Sequence, residues 1–186
     1  MPYQIYDSGL LKGTGVVPAS GLNITVGGPT ANPDIVIAET PDNYKIALDI
    51  AGTATLTLTA PSSNSKIVAI VAYTNDLAEV SADTTVTGNP SSCGLIAVDG
   101  TVAATPSAPD DTAIRTAITA DGATGSQAAY AIIALVTIAT GTTDITGTLI
   151  ENKDAFFVKV VPESEIDDLI GTPLEPGHFI VGYKES

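Results

Sequence analysis

The chain has 186 residues, of which 44% are hydrophobic, 5% aromatic and none Trp, and its 7 Lys and Arg against 21 Asp and Glu give a formal net charge of −14. A chain of this length can bury a core without disulfides or metals, and the lone Cys93 allows no intrachain disulfide. An acidic chain without a basic stripe has nothing to neutralise phosphates, so nucleic acid is not an expected partner. Solubility is the simplest account of the acidity; a docking surface for a basic partner is the alternative. Only 15% of residues are charged, below the usual quarter or so, so Thr, Ser, Asn, Gly and Ala must form much of the surface.

Residues 1–20 read as an extended arm. Gly9, Gly13, Gly15 and Pro18 punctuate the stretch and its apolar residues follow no helical period. Residues 1–4 lack a basic segment leading into an apolar one, so no signal peptide is expected. Residues 22–26 alternate apolar and polar with period two and stop at Gly27, which predicts a strand with one buried face. Residues 34–38 and 44–50 predict two more. The clearest is 53–60, with Thr on one face and Ala or Leu on the other, closed by Pro61. Residues 66–73 are apolar nearly throughout, which predicts a strand covered on both sides.

Residues 74–92 are polar, with a turn at 88–90, and strand character resumes over 94–102. Asp110 and Asp111 follow Pro109, and Ile114 and Ile118 lie four apart; this predicts a short helix near 110–119 with an Asp cap and an acidic first turn. Its narrow apolar stripe places it on the outside of a sheet. Residues 130–138 predict a long central strand, followed by short pieces at 144–146 and 148–150. In the last section, 155–161 and 179–183 predict strands and 164–171 a capped helical turn. The apolar runs at 67–73 and 128–139 fall short of the ~20 residues that cross a bilayer, so membrane insertion is not expected.

Many short strands, regular turn signals and one minor helix predict an all-β chain: an antiparallel β-sandwich or jelly-roll-like barrel with extended terminal arms. The expected organisation is an N-terminal arm at 1–20, a self-sufficient module at 21–152 and a C-terminal extension at 153–186. Ile67, Ile70, Ile133 and Leu135 are the expected core. Both ends carry apolar side chains (Tyr3, Ile5, Leu10 and Val16 in one, Phe156, Phe157 and Phe179 in the other). An arm without a core of its own is expected to bury such groups on a partner; the alternative is that both ends fold back on the chain's own sandwich.

Chemistry-bearing motifs are scarce. His178 is the only histidine, it follows Pro176 and Gly177, and no Ser sits in a nucleophile elbow; a turn or packing role fits it better than that of a base. One His and one Cys cannot make a metal site of N and S ligands. Asp83, Asp110, Asp111, Asp167 and Asp168 could offer oxygens to calcium, yet none lies in a calcium-loop pattern, and capping explains the Asp110 pair. Gly9 to Gly15 places Lys12 wrongly for a phosphate loop. Paired carboxylates of the glycosidase kind are compatible with the spacing, but the aromatics that line such clefts are few. No catalytic residue, cofactor site or metal site is expected.

Residues 55–61 with 64–73, residues 95–109 and residues 130–146 resemble, in that order, a module common in bacteriophage tail, baseplate and fibre proteins. The first corresponds to a Thr/Leu strand followed by a strand of the form polar, Arg or Lys, Ile, Asp, x, Ile, Val; here Lys66, Ile67 and Ile70 match and Ala69 stands where Asp is frequent. The second matches a Gly-Thr-Pro-Ala-rich segment at Gly100 and Thr101, with Val102 replacing its first Pro. The third matches an alternating Ala/Val strand ending in Gly141 and Ile145-Thr146. After it, Glu151 to Asp154 replace an Asp-Thr-Arg-like element. The resemblance implies a β-sandwich virion protein without enzymatic activity or cofactor, often trimeric and located in the virion after assembly in the bacterial cytoplasm. Its implied partners are other virion proteins and, in adsorption, a host-surface receptor. A capsid decoration or head-fibre protein is the alternative, and a polysaccharide-binding or polysaccharide-degrading module is the alternative of another class.

Overall fold

Alternating sequence becomes paired strand through most of the chain. A computed structural model describes residues 4–6, 8–29, 32–43, 45–50, 52–74, 93–122, 128–155, 157–162 and 178–183, the first and last two of these runs as backbone only. In chain order the elements are β1 (Gln4–Tyr6), β2 (Gly9–Lys12), β3 (Val16–Pro18), β4 (Asn23–Val26), β5 (Asp34–Glu39), β6 (Lys45–Ile50), β7 (Ala54–Thr57), β8 (Ser65–Thr74) and β9 (Cys93–Asp99). There follow α1 (Asp111–Ala120), β10 (Tyr130–Ala139), a 3-10 turn at Gly147–Leu149, β11 (Ile150–Asn152), β12 (Phe157–Pro162) and β13 (His178–Tyr183). The chain is all-β, with α1 its one α-helix among the described residues.

The largest sheet runs β6, β5, β10, β8, β9, with β2 also on β5 and β11 also on β10. Its spine is the antiparallel pair β8 and β10, in register from Tyr73 with Tyr130 to Ser65 with Ala139, with an irregularity between Ile132 and Ala134. β5 meets β10 only where Glu39 opposes Tyr130; beyond that point β10 pairs with β11 instead. The space between β5 and the chain leaving β11 is filled by β2. On one side Gly9 and Leu10 oppose Ile37 and Val36. On the other, Leu10 N donates to Lys153 O at 2.7 Å and Ala155 N donates to Leu10 O at 2.6 Å.

A second sheet is β3, β4, β7, all antiparallel. Side chains of both sheets share one core: Ile24, Val26 and Leu58 pack with Val36, Leu48, Val68, Ile70 and Ile133. On the opposite face of β8, Ala69, Val71 and Tyr73 pack with Val98 and with Ile114 and Ile118 of α1. β8 is thus covered on both faces, as its unbroken apolar run predicts. Asp110 caps α1 by accepting from Ala113 N at 2.8 Å, which satisfies one of the free donors of the first turn. A third sheet joins the two ends of the chain, with β1 antiparallel and β13 parallel to β12.

The structure differs from the sequence expectations in several places. Residues 9–18 are not an extended arm: they form β2 and β3, with Leu10 and Val16 in the shared core. Ala155 is buried too, so the core reaches beyond the expected 21–152 boundary at both ends. In the C-terminal section the strands expected at 155–161 and 179–183 are present as β12 and β13, paired in parallel. Short strands bounded by glycine leave no room for an alternation pattern to show, which is why 9–18 looked structureless.

Ile70 and Ile133 are fully buried as expected, but Ile67 and Leu135 are only half-buried; they point to the face of β8 and β10 opposite the shared core, at positions α1 covers incompletely. The strand expected over 53–60 ends at Thr57 and that over 94–102 ends at Asp99, while the short pieces expected at 144–150 become the 3-10 turn and the start of β11. The expected turn at 88–90 and helical turn at 164–171 lie outside the described residues.

Candidate functional site: a cleft beside the helix

The register that sets Tyr73 opposite Tyr130 also decides how α1 is held. Tyr130 Oη donates to Asp111 Oδ1 at 2.8 Å in the first turn of α1, and Tyr73 Oη donates to Asp121 Oδ2 at 2.5 Å at its C-cap. A cross-strand pair of tyrosines therefore grips both ends of one helix. Tyr73 needs a neighbour without a side chain: a Cβ on Gly94 would lie 2.1 Å from Tyr73 Cζ. Arg115 Nε donates to both Asp111 carboxylate oxygens, at 2.9 and 3.1 Å. Its Nη1 donates to Ala128 O at 3.2 Å, and the guanidinium lies 5.0 Å from the centroid of the Tyr130 ring, within cation–π range.

This cluster forms one wall of a cleft of about 630 Å³. Glu39 at the end of β5, Pro41 in the β5–β6 turn, Ile132 and Leu135 on β10 and Asp154 after β11 complete much of it. The size suits a small ligand and the lining mixes apolar floor with polar rim, as binding clefts do. Several of its polar groups are already committed. Burial, with the hydrogen bond to Asp111, pushes the Tyr130 phenol up to about 12, so at neutral pH it is a donor and not a base. Arg115 is held by Asp111 and Ala128 O. Glu39 is bonded to Lys45, and the Lys153 ammonium to Glu151.

Among the described residues Asp34 is the one buried carboxylate, 1% exposed. It accepts from Thr14 N at 3.1 Å and Gly15 N at 2.9 Å, one oxygen to each, and so fastens the link between β2 and β3. Gly13 has a φ of 128°, and a Cβ there would lie 2.1 Å from Asp34 Oδ1; both facts require glycine. The buried Lys66 ammonium bonds Thr59 Oγ1 at 2.9 Å and Asp99 Oδ2 at 2.7 Å.

The residues weighed from sequence scatter. Asp110 and Asp111 do cap and brace α1. Cys93 lies on β9, where burial, then the charge of Asp49, pushes its thiol up to about 12, the opposite of an activated nucleophile. His178 opens β13 opposite Phe157; its side chain, like Asp83, Asp167 and Asp168, lies outside the described residues. Gly9 to Gly15 is not a phosphate loop but β2 and its link to β3. Among the described residues no group of three or more His, Cys, Asp or Glu could hold a metal ion, and no helix is long and apolar enough to cross a membrane.

No protein-family model, curated protein or solved structure matches the chain. The cleft is what sequence reading missed. The i, i+4 spacing of Asp111 and Arg115 is the one signal that could have pointed to it; Tyr130, Glu39 and Lys153 reach it only through the pairing of distant strands.

Proposed function

We propose that the protein is a structural module of a bacteriophage virion, most simply of the tail, baseplate or fibre apparatus, acting by assembly with other virion proteins and not by catalysis. The observation that carries this reading is where the resembling runs lie in the fold. Residues 55–61 and 64–73 supply β7 and β8, residues 95–109 supply β9 and the loop into α1, and residues 130–146 supply β10. β10, β8 and β9 are neighbours in one sheet. Runs far apart in sequence thus build one contiguous unit, as the parts of an inherited module must.

The surface chemistry fits the same reading. Thr55, Thr57, Thr59, Thr137 and Thr140 are exposed, small polar groups that cover strands without demanding ordered long side chains. β1 and β13 are the outer strands of the third sheet, and outer strands can accept a strand from a neighbouring subunit. Homo-oligomerisation, with a trimer favoured by the resemblance, and contact with a host-surface receptor belong to the same proposal.

The test is to purify particles from a lysate that contains the chain and label them with an antibody raised against it. Label at a fixed place on the particle supports the proposal and separates tail from head. The chain left wholly in the particle-free fraction sinks it.

A further inference from the structure

We propose that β2 is an exchangeable strand: in the assembled protein, the β2 of one copy fills the gap between β5 and residues 153–155 of a second copy. This rests on the assembly reading above and deepens it by naming the partner as another copy of this chain and the surface as the seat that β2 occupies.

The seat is a slot with backbone on both sides. Toward β5, Gly9 and Leu10 pair with Ile37 and Val36; toward the other side, Leu10 shares hydrogen bonds with Lys153 O and Ala155 N. Leu10 itself is buried in the shared core. Any occupant must bring backbone donors and acceptors on both edges, an apolar side chain at the position of Leu10 and no side chain at the position of Gly9, where a Cβ would lie 2.6 Å from Lys153 O. The β2 of a second copy meets all of these conditions, because exchange rebuilds every closed contact with an identical residue. β1 lies upstream of β2 and crosses with it, its pairing with β12 then formed on the second copy, so little separates the two forms except the linking segment.

That segment, 13–15, is built to change. Gly13 and Gly15 have φ of 128° and 69°, and glycine leaves such a conformation for an extended one without steric cost. No backbone ladder holds it. It is fastened by side-chain oxygens: Asp34 on Thr14 N and Gly15 N, and Asn152 Oδ1 on the adjoining Val16 N at 3.0 Å. Asp34 is the latch of the closed form, and weakening it shifts the balance toward exchange. The slot, its occupant and its latch are independent parts, and the same exchange uses all three.

The test uses the full chain with Cys93→Ala and the register partners Lys12→Cys and Ile35→Cys, refolded over a range of concentrations and then oxidised. A closed chain gives an intrachain bond and a monomer on a non-reducing gel; an exchanged pair gives a covalent dimer. The expected result is a dimer fraction that rises with concentration, and that is absent when only Lys12→Cys is present. Adding Asp34→Asn, or Gly13→Ala if the former does not fold, is expected to raise that fraction several-fold. Monomer alone at every concentration overturns exchange, and a dimer fraction unmoved by both hinge variants overturns the latch. Incorporation into particles is read separately: a chain locked closed by its intrachain bond that still incorporates overturns exchange and leaves the virion reading standing, whereas a chain that exchanges freely and never enters particles does the reverse.

Discussion

The helix-bearing side of the molecule and its N-terminal weave are both well buried, yet they are held by different means. On the helix side, β8, β10 and α1 meet through continuous apolar runs and a phenol at each end of the helix. In the weave, β2 and β3 are strands of four and three residues, and beside their short ladders with β5 and β4 they rely on a buried carboxylate, an asparagine and the backbone of residues 153–155. The first region is stabilised by area removed from water and tolerates small losses. The second depends on a few specific hydrogen bonds, each costly to lose when buried.

Substitutions should expose this contrast. The largest effect is expected on the shared core: Ile133→Ala or Ile70→Ala should each cost ~2–5 kcal/mol by denaturant unfolding, whereas Ile67→Ala and Leu135→Ala, half-buried on the other face, should cost visibly less. Equal losses at all of these positions would mean that the outer face is as tightly packed as the core. Asp34→Asn is expected to cost ~1–3 kcal/mol through donors left unmet. Its mark should be local: amide exchange should quicken at Leu10 and Ala155 and stay slow at Val71 and Ile133. Uniform quickening would show that the weave is not a separate unit.

A smaller effect should come from the cap. Asp110→Ala is expected to cost about 1 kcal/mol, and the loss should leave the β2 amides untouched. The last is a pH effect seen only at high pH, with Tyr130 on the helix side and Cys93 against the shared core. Tyr130 is raised from 10.0 to about 12 and Cys93 from 9.0 to about 12, so the fold favours their neutral forms. Their contribution is complete below pH 9 for the thiol and below pH 10 for the phenol, and it is lost as pH climbs toward 12. Stability followed from pH 8 to 12 should fall across that window, and Tyr130→Phe should flatten part of the fall. A decline that begins near neutrality would point to another group.

This same division explains what could be read from sequence. The strands at 22–26, 34–38, 66–73 and 130–138 and the capped helix were legible because each carries its signal within itself: alternation, an unbroken apolar run, or an Asp followed by Ile114 and Ile118. β2 and β3 carry none, since they exist only because Ile37, Lys153 and Val26 lie beside them. The cleft is illegible for a related reason. Its tyrosine, arginine and glutamate converge through the pairing of Glu39 with Tyr130, a single contact between strands far apart in the chain.

The ion pairs have a consequence for how copies of this protein approach one another. Lys45, Lys66, Arg115 and Lys153 are each tied to a carboxylate of the same chain, so the net charge of −14 is displayed outward with few cations left to answer it. Two copies repel at long range, and the repulsion is felt over a Debye length of ~8 Å at physiological ionic strength. Added salt shortens that reach and should speed the meeting of like copies. Docking onto a basic partner would slow under the same change. The sign of the salt dependence of association therefore tells whether a second copy or a basic protein is being met, before the contact itself is seen.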